Sequence, residues 1–114
     1  MFFNARSVHH GDWMLVSVVG DLDLATLPEF RASLDALDGP AVGLALTDVG
    51  FLDVVVVGVL LGAQMRAHRR QASFSVVCPD GPVRSLLAEA RIDHVVTVVA
   101  TTGELPPVGV GDQR

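Results

Sequence analysis

Four aspartates, Asp21, Asp23, Asp48 and Asp53, fall just after apolar runs of this 114-residue chain, where loops leave a sheet. Carboxylates gathered there would suit a divalent metal or a general acid–base pair, so a small acidic-site hydrolase is the enzyme class to weigh. Aspartates next to glycine and before a helix are also ordinary turn and capping residues, and that reading is preferred. His9 and His10 are adjacent, so their side chains diverge in an extended chain, and no cysteine or second histidine pair accompanies them. No metal site is expected. His68 and His94 lack partners at triad-like positions, and no GxGxxG or Walker pattern follows a strand. The residues point away from an enzyme, and no cofactor is expected.

The elements that must position these groups follow from hydrophobic periodicity. Phe2 to Val8 and Trp13 to Val19 read as strands joined by a turn at His9-His10-Gly11-Asp12, an antiparallel hairpin. Thr26, Pro28 and Glu29 mark a helix start, and Phe30, Leu34 and Leu37 recur at helical spacing until Gly39-Pro40. Ala41 to Thr47 is a strand apolar on both faces, as parallel strands between layers tend to be. Asp48-Val49-Gly50 reads as the turn that ends it. Ser73 to Cys78, Val83 to Ala90 and Ile92 to Val99 supply a strand, a short helix and a last strand.

Between the third and fourth of these strands lies a conflict. Val54 to Val57 are β-branched, which favours a strand, but two parallel strands need a crossover and Val54 to Arg70 contains no proline. A helix is expected there, with Asp53 as its N-cap. At 100° per residue Val57, Leu60, Leu61 and Met65 would face the sheet. Val55, Gly58, Val59, Gly62 and Arg66 would form a shallow outer face, open to another surface or covered by this chain. Arg66, Arg69 and Arg70 complement the helix dipole at its far end.

Composition sets the outer bounds. Half the residues are hydrophobic and mean hydropathy is +0.47, yet no apolar run approaches the roughly 18 residues of a membrane span. The opening MFFNARSVHHGD has no apolar segment preceded by positive charge, so a cytoplasmic placement is expected. Net charge is −5, all 8 basic residues are arginines, and nucleic acid is not an expected partner. The single cysteine, Cys78, reads as a buried small hydrophobe.

The chain resembles the STAS domains, specifically bacterial anti-sigma factor antagonists. The resemblance rests on VSVVGDLDLATLPEFRASL (16–34), LALTDVGFLD (44–53), VGVLLGA (57–63) and VRSLLAEARID (83–93). It implies an α/β fold: a single STAS domain over residues 1–100, with a mixed sheet of about four to five strands that starts in a hairpin and is packed by three to four helices. The segment 101–114, rich in proline and glycine, is expected to be a mobile tail, and Pro106-Pro107 should cut short the family's final helix. The resemblance also implies a non-enzymatic regulator that binds an anti-sigma factor of the serine/threonine kinase type. The implied partner-binding residues are Asp23, Asp53, Val54, Val55, Gly58, Val59 and Gly62. Where the family carries its phosphorylated serine or threonine, this chain has Val54 and Val55, so phosphorylation at that site is not expected. A scaffold or decoy with another partner, including a subunit of a lipid-transport complex, is the alternative.

Overall fold

The order of eight strand and helix segments dictates the architecture of the computed structural model, which describes residues 3–108. The elements are β1 (Phe3–His10), β2 (Trp13–Leu22), α1 (Leu27–Asp35), β3 (Ala41–Leu52), α2 (Val55–Arg69), β4 (Ser73–Val77), α3 (Pro82–Glu89) and β5 (Thr97–Val99). Short 3₁₀ turns occupy Ile92–His94 and Thr102–Glu104. The five-stranded sheet has the order β1-β2-β3-β4-β5, antiparallel between β1 and β2 and parallel thereafter. Each parallel step crosses over through one helix in the same sense, so right-handed crossovers bring all three helices to one face. A mixed sheet opened by a hairpin and covered by helices is the expected fold.

One cluster forms the main core: Phe30 and Leu34 of α1, Val56, Leu60, Ala63 and Ala67 of α2, Leu87 of α3, and Val16, Val18, Leu44 and Val76 of the sheet. On the other face, Trp13, Leu15 and Ala41 pack with Val8, Leu105 and Val108. The Trp13 indole N–H donates to the Pro106 carbonyl oxygen at 3.0 Å. The segment read from its composition as a mobile tail thus makes specific contacts as far as Val108, while residues 109–114 lie outside the described residues. It begins with one 3₁₀ turn at Thr102–Glu104 and has no regular secondary structure from Pro106 to Val108.

Two local readings change. The Asp48-Val49-Gly50 turn does not form; β3 runs on to Leu52, with Val49 and Leu52 buried. β2 likewise continues through Gly20-Asp21-Leu22, so the two strands keep a ladder that ends in the pair Leu22 and Leu52. The glycines and aspartates that signal a turn accompany register shifts at Ser17/Val19 and Gly20/Asp21 instead. In the hairpin, His9 and His10 belong to β1, and only Gly11-Asp12 turn the chain. Gly11 has a φ of +58°, a conformation glycine adopts without a Cβ penalty.

The valines of α2 are helical because burial outweighs propensity. Val55, Val56 and Val57 together cost about 2 kcal/mol relative to alanine in a helix. Burying Val56 and Leu60 completely returns about 3–6 kcal/mol. Gly43 shows how tightly β3 is held. A Cβ there would collide with the Ser75 carbonyl oxygen and approach Leu15 Cδ2 to 3.0 Å. Gly43→Ala is therefore expected to lower stability by about 1–3 kcal/mol, read as a lower urea midpoint with an unchanged m-value.

Candidate docking site

The parallel pairing of β2 and β3 places their exits side by side. The Asp53 N–H donates to the Leu22 carbonyl oxygen at 2.8 Å, which ties the loop after β3 to the end of β2. The chain after β2 is closed by local hydrogen bonds. Asp23 Oδ1 accepts the N–H groups of Ala25 at 3.0 Å and Thr26 at 3.1 Å. Thr26 Oγ1 donates to the Asp21 carbonyl oxygen at 2.8 Å and accepts the Asp23 N–H at 3.1 Å. This small ring satisfies the backbone before α1 and leaves Leu24 pointing out, 68% exposed.

The loop after β3 is shorter. Asp53 Oδ1 accepts the Val55 N–H at 3.0 Å, so it satisfies an orphan donor of α2 as expected. Val54 rather than Asp53 occupies the N-cap position, and it has no side-chain group to offer. Val54 is 64% and Val55 39% exposed, and Phe51 at the end of β3 is 51% exposed. Leu24, Phe51, Val54 and Val55 thus present apolar surface at one end of the sheet, beside Asp23 and Asp53. Among the described residues Arg66 pairs with Asp35 and the His94 ring lies 4.0 Å from Asp93, so Asp21, Asp23, Asp48 and Asp53 have no cation there. Asp23 and Asp53 serve as turn and helix-start acceptors.

Leu24 and Phe51 are exposed apolar residues at this end of the sheet that the sequence reading did not single out as candidates. Their signal was present: each is a large apolar side chain next to the aspartates and cap residues that end a strand.

The helix faces also need correction. Val56, Leu60, Ala63 and Ala67 face the core, whereas Met65, assigned to the sheet side, is 55% exposed. Val57 and Leu61 are half-buried flanks. The outer set is the expected one: Val55, Gly58, Val59, Gly62 and Arg66 line a groove of about 270 Å³ whose other wall is Leu27 and Arg31 of α1. The proposed docking residues are therefore brought to one end of the sheet and one contiguous strip of α2.

Cys78 is buried and distant in character from this surface. Burial pushes its thiol above the ordinary value, partly offset by the Arg84 guanidinium, which donates to the Cys78 carbonyl oxygen at 2.6 Å. A thiol whose folded pKa is raised leaves stability intact below its unfolded pKa and erodes it as pH rises toward the folded value. With no lysine or tyrosine in the chain, no other side chain titrates near it. Unfolding free energy is expected to decline above about pH 8.5, and Cys78→Ala should flatten that limb in urea titrations.

Comparison with known proteins places this arrangement. The family model described as "Mlab, STAS domain" matches residues 6–100. No curated protein matches the chain. Among solved structures, the chain is similar to an anti-sigma factor antagonist from Mycobacterium paratuberculosis, with TM-score 0.83 and 22% identity over 90% of each chain. It is also similar to the anti-sigma factor antagonist SpoIIAA in its unphosphorylated form, with TM-score 0.69 and 17% identity over 90% of this chain and 91% of that one. A third is the STAS domain of an anti-sigma factor antagonist from Rhodobacter sphaeroides, with TM-score 0.51 and 25% identity over 66% of this chain and 85% of that one. With the sheet order, the crossovers and a family match spanning nearly all of the ordered core, the chain belongs to the STAS-domain family.

Proposed function

We propose that this STAS domain is a non-enzymatic anti-sigma factor antagonist that binds an anti-sigma factor of the serine/threonine kinase type in the cytoplasm. Residues 1–100 are its working domain and 101–114 an appended tail. The observation that carries this reading is the exposed apolar set Leu24, Phe51, Val54 and Val55 where the chain leaves β2 and β3, together with Asp23 and Asp53, whose carboxylates have no ion pair among the described residues. Exposed apolar area rimmed by polar groups marks a protein contact. The similarity to solved anti-sigma factor antagonists supports the same assignment.

Val54 and Val55 carry no hydroxyl, so a kinase partner has no acceptor at the start of α2. A phosphoryl group would bring about −1.5 to −2 charges to an apolar contact that already includes two carboxylates, and would repel the partner. Its absence makes this chain an antagonist that the partner's kinase activity does not switch off at that point. The description of the family model as Mlab favours a second reading, in which the same surface docks on an ATPase of a lipid-transport complex.

Affinity capture from the source cell, with and without Mg-ATP, separates the two. The expected catch is an anti-sigma kinase, retained by the wild-type chain with ATP and released from Val54→Ser as phosphate accumulates on the new serine. Capture of a transport ATPase would favour the second reading. Recovery of neither under any nucleotide condition would sink the antagonist assignment.

A further inference from the structure

Beyond the apolar cluster, the groove between α1 and α2 has a chemistry of its own. Leu27, Val55 and Val59 give it an apolar lining, and Arg31 and Arg66 stand along it. A Cβ on Gly58 would meet no atom within 4 Å, and one on Gly62 would meet only Arg66 Nη1 at 3.3 Å. Nothing in the described chain fills the space above these residues. The Arg66 guanidinium folds over Gly62 and is tethered to Asp35 at 2.9 Å, with donors left over. Arg31 is exposed and has no ion pair among the described residues, although the chain has 13 acidic residues against 8 basic ones.

We infer that this groove seats an amphipathic helix of the protein partner, one that presents small apolar side chains to Val55 and Val59 and carboxylates to Arg31 and Arg66. The inference rests on the reading of α2 as the docking helix. Charge selects the occupant: two guanidiniums flanking an apolar lining match carboxylates beside small apolar side chains, and each guanidinium offers a planar fork for a carboxylate. Geometry selects a helix. The walls are two helices that both run back from parallel strands, so the groove follows their axes, and a third helix can pack there with axes 8–10 Å apart. An extended segment would find no open strand edge at which to satisfy its backbone. The acidic end at Asp23 and Asp53 and the arginines further along also fix the direction of charge along the partner.

The test uses the full chain, ¹⁵N-labelled, and two alanine-rich helical peptides of equal length. One carries Glu at i and i+4 beside its alanine face, and the other carries Lys at those positions. The Glu peptide is expected to shift the amides of Leu27, Arg31, Gly58 and Gly62, and the Lys peptide is not. Arg31→Glu should weaken that response about tenfold, the loss of one charge-assisted contact. Gly58→Leu, which adds a side chain in open space and does not disturb the helix, should abolish it. No response, an equal response to both peptides, or the same shifts with inorganic phosphate alone would overturn the inference. If the peptide fails while anti-sigma capture through Val54 and Val55 persists, only the groove is lost. If capture fails and the peptide response stands, the groove survives the anti-sigma reading.

Discussion

Val54→Asp is expected to lower affinity for the anti-sigma partner at least 30-fold, about 2 kcal/mol, while the isolated domain folds as well as before or slightly better. The two effects have separate causes. Val54 is 64% exposed and stands at the N-cap of α2, where it offers no acceptor to the orphan N–H groups. Aspartate is a favoured N-cap and its charge suits the positive end of the helix, so stability should rise by about 0.5–1 kcal/mol. In a complex the same carboxylate would lie in an apolar contact beside Asp23 and Asp53, desolvated and repelled. Calorimetric binding and urea denaturation of the same sample would show the opposed signs. A variant that binds normally would remove Val54 from the interface.

Leu60→Ala should cost about 3 kcal/mol and lower Tm by roughly 15 °C, a large part of the stability of a domain this size. Leu60 is fully buried between α2 and the sheet, and the shortened side chain leaves a cavity that a close-packed core cannot collapse around. Met65→Ala, on the same helix, should change stability by less than about 0.5 kcal/mol because Met65 is 55% exposed. The contrast tests how α2 sits on the sheet. Were Met65→Ala the costlier change, the helix would present the other face.

The same pair shows what could and could not be read from residues alone. The order of strands and crossovers was legible because Pro28 opens α1, apolar residues recur at helical spacing in α1 and α3, and the stretch between β3 and β4 is too long and too free of proline to be a strand. The hairpin was legible from alternation around Gly11-Asp12. The facing of α2 was not, because Val54 to Leu61 is apolar almost all round and large side chains draw attention from small ones. Ala63 and Ala67, which let the helix lie close to the sheet, do the anchoring that Leu61 and Met65 were expected to do. The end of β3 was misread for a related reason. Asp48 and Gly50 are turn residues by local chemistry, but β2 continues beside them and a shifted ladder is more favourable than a turn. That extension carries Phe51 to the edge of the proposed docking surface, so the local error concealed one of its apolar candidates. Asp23, Asp53, Val54 and Val55 enter the proposed surface through the family resemblance, and helical spacing puts Val55 on one face with Gly58, Val59 and Gly62.

The central claim is that the start of α2 is a docking surface from which the phosphorylation chemistry has been removed. It is tested most directly by mixing the purified chain with its anti-sigma kinase and Mg-ATP and following complex and phosphate together over many turnovers. The expected result is a complex that persists undiminished, with no phosphate on the chain by intact mass, while Val54→Ser becomes phosphorylated and dissociates. A wild-type chain that gains phosphate and leaves the complex, or that forms none with any nucleotide, would contradict it.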